Sequence, residues 1–531
     1  MYDLIIRNGR IFDGTGGPWY HGDVAIVGKR IVAMGRQLEG DAARVIDAGG
    51  MVVAPGFIDL HSHSDVTLLV NPRAESAVRQ GITTQVVGQC GFSAGPVRPA
   101  DRDSVRRDSF IFSFEGYEWT WSDIGGYRQT LARARPAINV VTLVGHNAIR
   151  QFAMGATARP PTPLEMEAMK TALHQALEQG ARGFSSGLTY VPGRFADADE
   201  LVELGKVVRQ HGGVYHSHMR EYTCFLLDSL AETARVAEEA GIPANMSHFY
   251  PAAPQFWGEL AHRGTEAVDA LRRRGVEITF DITPWTRGGG PFMQALPNWA
   301  QDGGVAALKQ RIEDAATRHE LARQMEEGAP GWRDWRPRDW DDQLIARVGR
   351  PEHAGWAGRT IAEIARERGL PPSETALILL DEDDGQIWTA STIKSQDDIN
   401  HILSHPVGVP ITDGMALAPY GSLSLPTMPR SYGTFPRVLG RYVREWSVLS
   451  LEVAVQKLTS MPAGRVGISD RGLLRPGLYA DIVVFDAETI LDQETYAAPH
   501  TFPTGIEFVM VNGQVVVDGN VQTECRPGIV L

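Results

Sequence analysis

Residues 55–65 read Pro55-Gly56-Phe57-Ile58-Asp59-Leu60-His61-Ser62-His63-Ser64-Asp65. With Val52-Val53 just before it, the apolar pair Phe57-Ile58 predicts a buried strand whose C-terminal end carries His61 and His63. In an extended chain, residues two apart point to the same side. Two imidazoles on one side at a strand end can grip one metal ion, while Ser62 turns away. An H-x-H pair alone also describes surface histidines or hydrogen-bonded core histidines, so the rest of the chain has to decide.

Beyond that strand, strand and helix patterns alternate. Ile82–Val87, Asn139–Val144, Arg182–Ser185, Gly213–His216, Ala244–Ser247, Val276–Phe280 and Gly408–Ile411 read as seven further strands. Between them lie helical segments. Thr162-Pro163-Leu164-Glu165 combines a Thr cap, Pro in the first turn and Glu three residues after the cap. Met166, Met169, Leu173 and Leu177 then hold one face until Gly180. Eight such units predict an α/β fold with a (β/α)8 TIM barrel. The alternative, a doubly wound sheet, lacks a G-x-G-x-x-G after an early strand.

The two ends are β-rich and resemble each other. Leu4-Ile5-Ile6, Val24–Val27 and Ile31-Val32-Ala33 at one end answer Ile482–Phe485, Phe508–Val511 and Val515–Val517 at the other, with Asn512-Gly513 as a hairpin turn. Neither end supplies a sheet core alone. A small β-sandwich built from both termini, residues 1–54 and 466–531, therefore flanks a barrel over 55–465. The interval at about 287–400 is too long for one crossover and reads as an excursion over the barrel mouth, either a lid or a homo-oligomer contact.

Composition narrows the function classes. The chain has 531 residues, 43% hydrophobic and 22% charged, with a formal net charge of −13. Such a field repels polyphosphate and argues against nucleic-acid partners. No apolar run approaches the ~20 residues of a membrane span, and the N-terminus has no signal-peptide design. Three separated cysteines, Cys90, Cys224 and Cys525, form no disulfide framework. A cytoplasmic enzyme with a small-molecule substrate is the expectation.

Reactive side chains recur at the C-terminal ends of the predicted strands, where a barrel keeps its active site. The first gives His61 and His63, and the second is followed by Cys90 in Gly88-Gln89-Cys90-Gly91. The fifth ends at His216-Ser217-His218, the sixth at Ser247-His248 and the eighth at Thr412-Asp413-Gly414. Each alone has a plain explanation: an inert buried thiol, a core histidine, a turn. His216 reads as a neighbour supporting His218. Their common rim favours a zinc site, since thiolate, imidazole and carboxylate are zinc ligands.

The ordered set P-G-F-I-D-x-H-S-H-x-D, V-V-G-x-C-G-F-S (86–93), V-G-H (144–146), S-S-G-L-x-Y-x-P-G (185–193), H-M-R (218–220), T-D-G (412–414), P-R-S-Y-G-T-F-P-R (429–437) and L-R-P-G-x-Y-A-D-I-V-V-F-D (474–486) resembles the N-acyl-D-amino-acid deacylases of the amidohydrolase superfamily. The resemblance spans essentially the whole chain. It implies a tight Zn2+ site of Cys90, His218 and His248, and a second, weaker one of His61 and His63 helped by Cys90 and Asp413. Cys90 then stands where wider relatives use a carbamylated lysine. The resemblance further implies Asp413 as general base and acid, Arg430 as the carboxylate-binding arginine, and His146 and Tyr190 lining the pocket.

The chain also departs from the pattern. The lysine usual shortly after the His248 equivalent is missing from His248-Phe249-Tyr250-Pro251, the segment after the seventh strand reads Asp281-Ile282-Thr283-Pro284-Trp285, and Met428 replaces a frequent histidine. With Tyr250 and Trp285 as added aromatic bulk and one cation fewer, weaker carboxylate capture and a larger or less charged substrate are expected. A cyclic-amide hydrolase of the hydantoinase or dihydroorotase type is the alternative, but Cys90 has no counterpart there. An inactive scaffold barrel disagrees with the complete ligand set.

Overall fold

The strand expected across residues 52–58 is two strands, Val52–Pro55 and Phe57–Asp59, that belong to different sheets. Val52–Pro55 pairs with Ile482–Phe485 and Tyr2–Ile11, whereas Phe57–Asp59 pairs in parallel with Ile82–Val87. Gly56 makes the transfer: a Cβ there would come within 2.3 Å of the Thr83 side chain. The sequence reads as one strand because both halves are apolar and fully buried. The computed structural model describes residues 1–109, 111–330, 332, 337–424 and 427–531.

The parallel strands follow in chain order. Phe57–Asp59 neighbours Ile82–Val87, which neighbours Asn139–Thr142. That third strand breaks at Leu143 and resumes as Val144–Gly145 beside Gly183–Gly187. Val214–His218, Ala244–Met246, Ile278–Ile282 and Gly408–Pro410 complete the series, each parallel to the one before. At the C-terminal rim Asp413 N donates to His61 O (3.0 Å) and His63 N to Gly414 O (2.7 Å), joining the segments just past the last and first strands. Ile58, Val86, Val141, Val409 and Ile411 pack together between them. Full burial of each such side chain contributes about 1.5–3 kcal/mol.

The flanking helices are amphipathic in the expected sense. Pro163–Glu178 carries its capping box, with Thr162 N donating to Glu165 Oε2 (2.7 Å) and Glu165 N to Thr162 Oγ1 (3.3 Å), and buries Met169, Leu173 and Leu177. Strands from both termini form one nine-stranded sheet. A buried polar knot ties it to the third parallel strand. Asn139 Nδ2 donates to Asp481 Oδ2 (2.9 Å), Asn512 Nδ2 to Asn139 Oδ1 (2.8 Å), and Arg471 pairs with Asp481.

Within the long interval, Arg287–Pro291, Trp388–Thr392 and Leu344–Arg347 form an antiparallel sheet. Its helices pack on a core that includes Leu308, Leu321, Ile345, Ile364 and Leu377. Two of these helices, Gly304–Glu313 and Ala315–Glu327, are separated at Asp314, which accepts from Thr317 N (2.8 Å) and caps the second. No helix among the described residues is long and apolar enough to cross a membrane.

Candidate metal centre and active site

Four donor side chains meet at the C-terminal rim. One ligand atom each from His61, Cys90, His248 and Asp413 lie within 4.8 Å of one another. Cys90 Sγ is 3.2 Å from His61 Nε2 and 3.6 Å from His248 Nε2. Asp413 Oδ1 is 3.4 Å from His61 Nε2 and 3.2 Å from His63 Nε2. Cys90 thus stands between the His61 and His248 sides.

Three of the four sit on left-handed backbone: Cys90 (φ 54°), His248 (φ 36°) and Asp413 (φ 45°). None is glycine, and such conformations cost on the order of 1–3 kcal/mol each, so the surroundings must impose them. His248 N donates to Asp281 Oδ1 (2.5 Å), and Asn245 Nδ2 holds Asp281 Oδ2 (2.6 Å). The Cys90 turn packs on Gly187 so closely that a Cβ there would lie 2.0 Å from Cys90 O.

His218 is not one of the four, yet it adjoins them. Its ring centre is 4.5 Å from that of His248, and its Nε2 is held by Thr189 Oγ1 at 2.8 Å. Among the described residues His218 Nδ1 is buried without a hydrogen-bond partner, and the His218 ring acts on the Cys90 sulfur. An imidazole fixed through its outer nitrogen, with the inner one unsatisfied, is arranged as metal ligands usually are. The soft sulfur with imidazoles and one carboxylate suits zinc, and the residues present fit that ion.

The electrostatics agree. Burial pushes the Cys90 thiol up, but the His61 and His218 rings outweigh it and hold the thiol well below its usual range. Burial would likewise raise Asp413. The Arg430 guanidinium, His63, His248 and His61 reverse this and keep its carboxyl well below the ordinary value. His216 is pulled down to about 3 by burial and by His61 and Arg465, so it is neutral, with Nδ1 3.2 Å from Gln89 Oε1.

A cavity of about 190 Å³ opens over these residues, lined by His63, Tyr190, His218, His248, Tyr250, Asp413 and Arg430. Arg430 Nη1 lies 2.8 Å from Asp413 Oδ2. Tyr190 packs its ring 4.8 Å from His218, and Tyr250 stacks on Tyr222 at 5.2 Å. The long insert also reaches this cavity, through Gly288–Phe292, Trp388, Ser391, Ile393 and Lys394 among others.

Two residues expected in the pocket lie elsewhere. His146 Nε2 bonds Glu200 Oε1 at 2.7 Å, Arg150 pairs with the same carboxylate, and neither His146 nor Glu200 lines the cavity. The chain enters a helix at His146, so its side chain turns into the packing there. Trp285 lies under Arg437 (4.3 Å) and donates to Thr434 Oγ1 (2.9 Å), behind the wall rather than on it. The expected shortage of cations also needs correcting: Lys394, from the insert, lines the same cavity, its Nζ 4.7 Å from the centre of the Tyr250 ring. No sequence motif marks Lys394, Thr189 or Asp281. The only hint is that Asp281 directly follows the predicted strand Val276–Phe280.

Sequence and fold comparisons agree with this geometry. The chain matches the Amidohydrolase family over residues 44–517 and belongs to it. An N-acyl-D-glutamate deacylase of Alcaligenes xylosoxydans xylosoxydans is 34% identical over 100% of this chain and 96% of its own. The crystal structure of N-acyl-D-glutamate deacylase from Bordetella bronchiseptica, complexed with zinc and a phosphonate mimic of the tetrahedral intermediate, superposes with a TM-score of 0.81 at 32% identity, covering 100% of this chain and 99% of that one. A D-aminoacylase structure described for its binuclear metal centre, with one-metal activation and second-metal attenuation, gives 0.82 at 29% identity over 100% of both chains.

Proposed function

We propose that this protein is a zinc-dependent hydrolase of linear amides that deacylates N-acyl-D-amino acids. The observation that carries the reading is the convergence of His61, Cys90, His248 and Asp413 within 4.8 Å, open to a cavity in which Arg430 lies 2.8 Å from Asp413. Zinc, when bound, supplies Lewis-acid polarisation of the amide carbonyl and acidifies water. Cys90, His218 and His248 would hold it, with His61, His63 and Asp413 offering a second position.

The chain's own residues do the rest. Asp413, kept ionised by Arg430 and the histidines against its burial, takes a proton from the attacking water. It returns that proton to the leaving nitrogen as the C–N bond breaks. Arg430 sits beside the oxygen that makes this delivery, next to where the amine and its α-carbon emerge, and a guanidinium there suits an α-carboxylate. Tyr190, on the same wall, supplies a hydroxyl. Insert residues, among them Phe292, Trp388 and Lys394, form part of the cavity wall.

Initial rates on N-acetyl-D-amino acids, their L enantiomers and hydantoins, each with and without chelator, test the reading. Cleavage of the D series with strong loss in chelator is expected. Ring opening of hydantoins with no cleavage of linear amides would assign the cyclic-amide reaction instead.

A further inference from the structure

Lys394 is 2% exposed, and nothing in the centre described above requires it. It follows the insert strand Trp388–Thr392 and lines the same cavity as His63, His218, His248 and Asp413. Its ammonium donates to Thr283 Oγ1 and lies over the Tyr250 ring at 4.7 Å. Among the described residues no carboxylate is within ion-pair distance of it. The other acidic group on the wall besides Asp413, among the described residues, is Glu221, which accepts from Thr223 N and Phe225 N, both at 2.9 Å. A buried ammonium with one hydroxyl and one aromatic face is incompletely compensated.

We propose that Lys394 is the second cation of the substrate site and that, with Arg430, it binds the α-carboxylate of the N-acyl amino acid. The assignment rests on the deacylase reading above and names the group that recognises the acid. Arg430 already shares its charge with Asp413 through Nη1, so a carboxylate arriving beside it gains most from a cation of its own. Burial and the nearby Arg430 charge pull Lys394 down to about 7, against the opposing field of Asp413. An anion placed between the two cations relieves that strain. Thr283 and Tyr250 fix the ammonium, as a site with selectivity for a charged group needs. The lysine thus comes from a sequence-distant insert, where the segment after His248 has Tyr250 instead.

The test compares wild type with Lys394→Met, Lys394→Gln and Lys394→Arg on two ligand pairs, N-acetyl-D-glutamate and N-acetyl-D-phenylalanine, each with its α-carboxamide. KM and calorimetric affinity are both read on zinc-loaded protein. For the acids, the Met and Gln variants should weaken KM and affinity at least tenfold, with less than a twofold change for the carboxamides, while Arg keeps most of the preference. Equal weakening for acid and carboxamide would show a packing role and overturn the proposal. So would no preference for acids in the wild type, or a preference that both charge-removing variants leave intact. Binding that shows the acid preference without any hydrolysis would sink the deacylase reading and leave Lys394 as an anion site. Hydrolysis with an unchanged preference in the variants would sink only the Lys394 assignment.

Discussion

Arg430 Nη1 and Asp413 Oδ2 lie 2.8 Å apart, while the other oxygen of the same carboxylate faces His63 Nε2 at 3.2 Å. One carboxylate therefore joins the cavity-lining guanidinium of Arg430 to the imidazole of His63. Arg430→Met should lower kcat/KM by about 10²–10³-fold, because it removes a buried, charge-paired cation that the proposed substrate carboxylate would meet, worth about 2–5 kcal/mol in binding. Arg430→Lys keeps the charge but loses the fork, and should fall between. Steady-state rates on a D-acyl acid read both.

Asp281 holds the His248 backbone N at 2.5 Å and approaches His61 Nδ1 at 3.9 Å. It supports two donors without being among the four that converge. Asp281→Asn should weaken zinc affinity by about 10–100-fold while the protein stays folded. Competition with a chromophoric chelator measures this, and unchanged affinity would detach Asp281 from the site.

Gly187 stands against the Cys90 turn. In Gly187→Ala the new Cβ would meet Cys90 O at 2.0 Å, so the turn must move and the sulfur with it. Zinc affinity and activity should fall together, with a larger loss than for alanine at Gly212, where a Cβ meets nothing within 4 Å.

His146, Glu200 and Arg150 form a buried cluster that should matter for stability and not for substrate binding. Burial raises Glu200, but His146 and Arg150 outweigh it and hold the carboxyl below its ordinary value. Its folded value being depressed, its stabilisation is complete above the unfolded value of about 4.3. The contribution is lost as pH falls through the lower folded value. Glu200→Gln should cost about 3–5 kcal/mol at neutral pH, and the gap from wild type should narrow in acid. Denaturant unfolding at neutral pH and below pH ~4 reads the gap, with KM expected to stay constant.

Much of the site is legible in the amino-acid sequence. The H-x-H at the end of Phe57-Ile58, and Cys90, His248 and Asp413 after later strands, follow from strand periodicity and from the rule that barrel chemistry gathers at one rim. Three features are not legible there. The left-handed backbone at Cys90, His248 and Asp413 is imposed by Gly187, Asp281 and the Asp413 N to His61 O bond, which are contacts between distant segments. Trp285 follows a strand that ends at Ile282, and its direction is set by Thr434 and Arg437, more than a hundred residues away. Lys394 is a single lysine whose place depends on the pairing of Trp388–Thr392 with Arg287–Pro291 and Leu344–Arg347. A local pattern carries no trace of such pairing.

The most direct measurement is a zinc titration of chelator-stripped protein, with hydrolysis of an N-acyl-D-amino acid followed at each addition, for wild type and Cys90→Ser. The stripped wild type should be inactive and recover its full rate by the first equivalent, while Cys90→Ser should require far more zinc and recover little. Full hydrolysis by metal-free protein, or a Cys90→Ser curve that overlays the wild type, would contradict a cation held between Cys90 and its histidines.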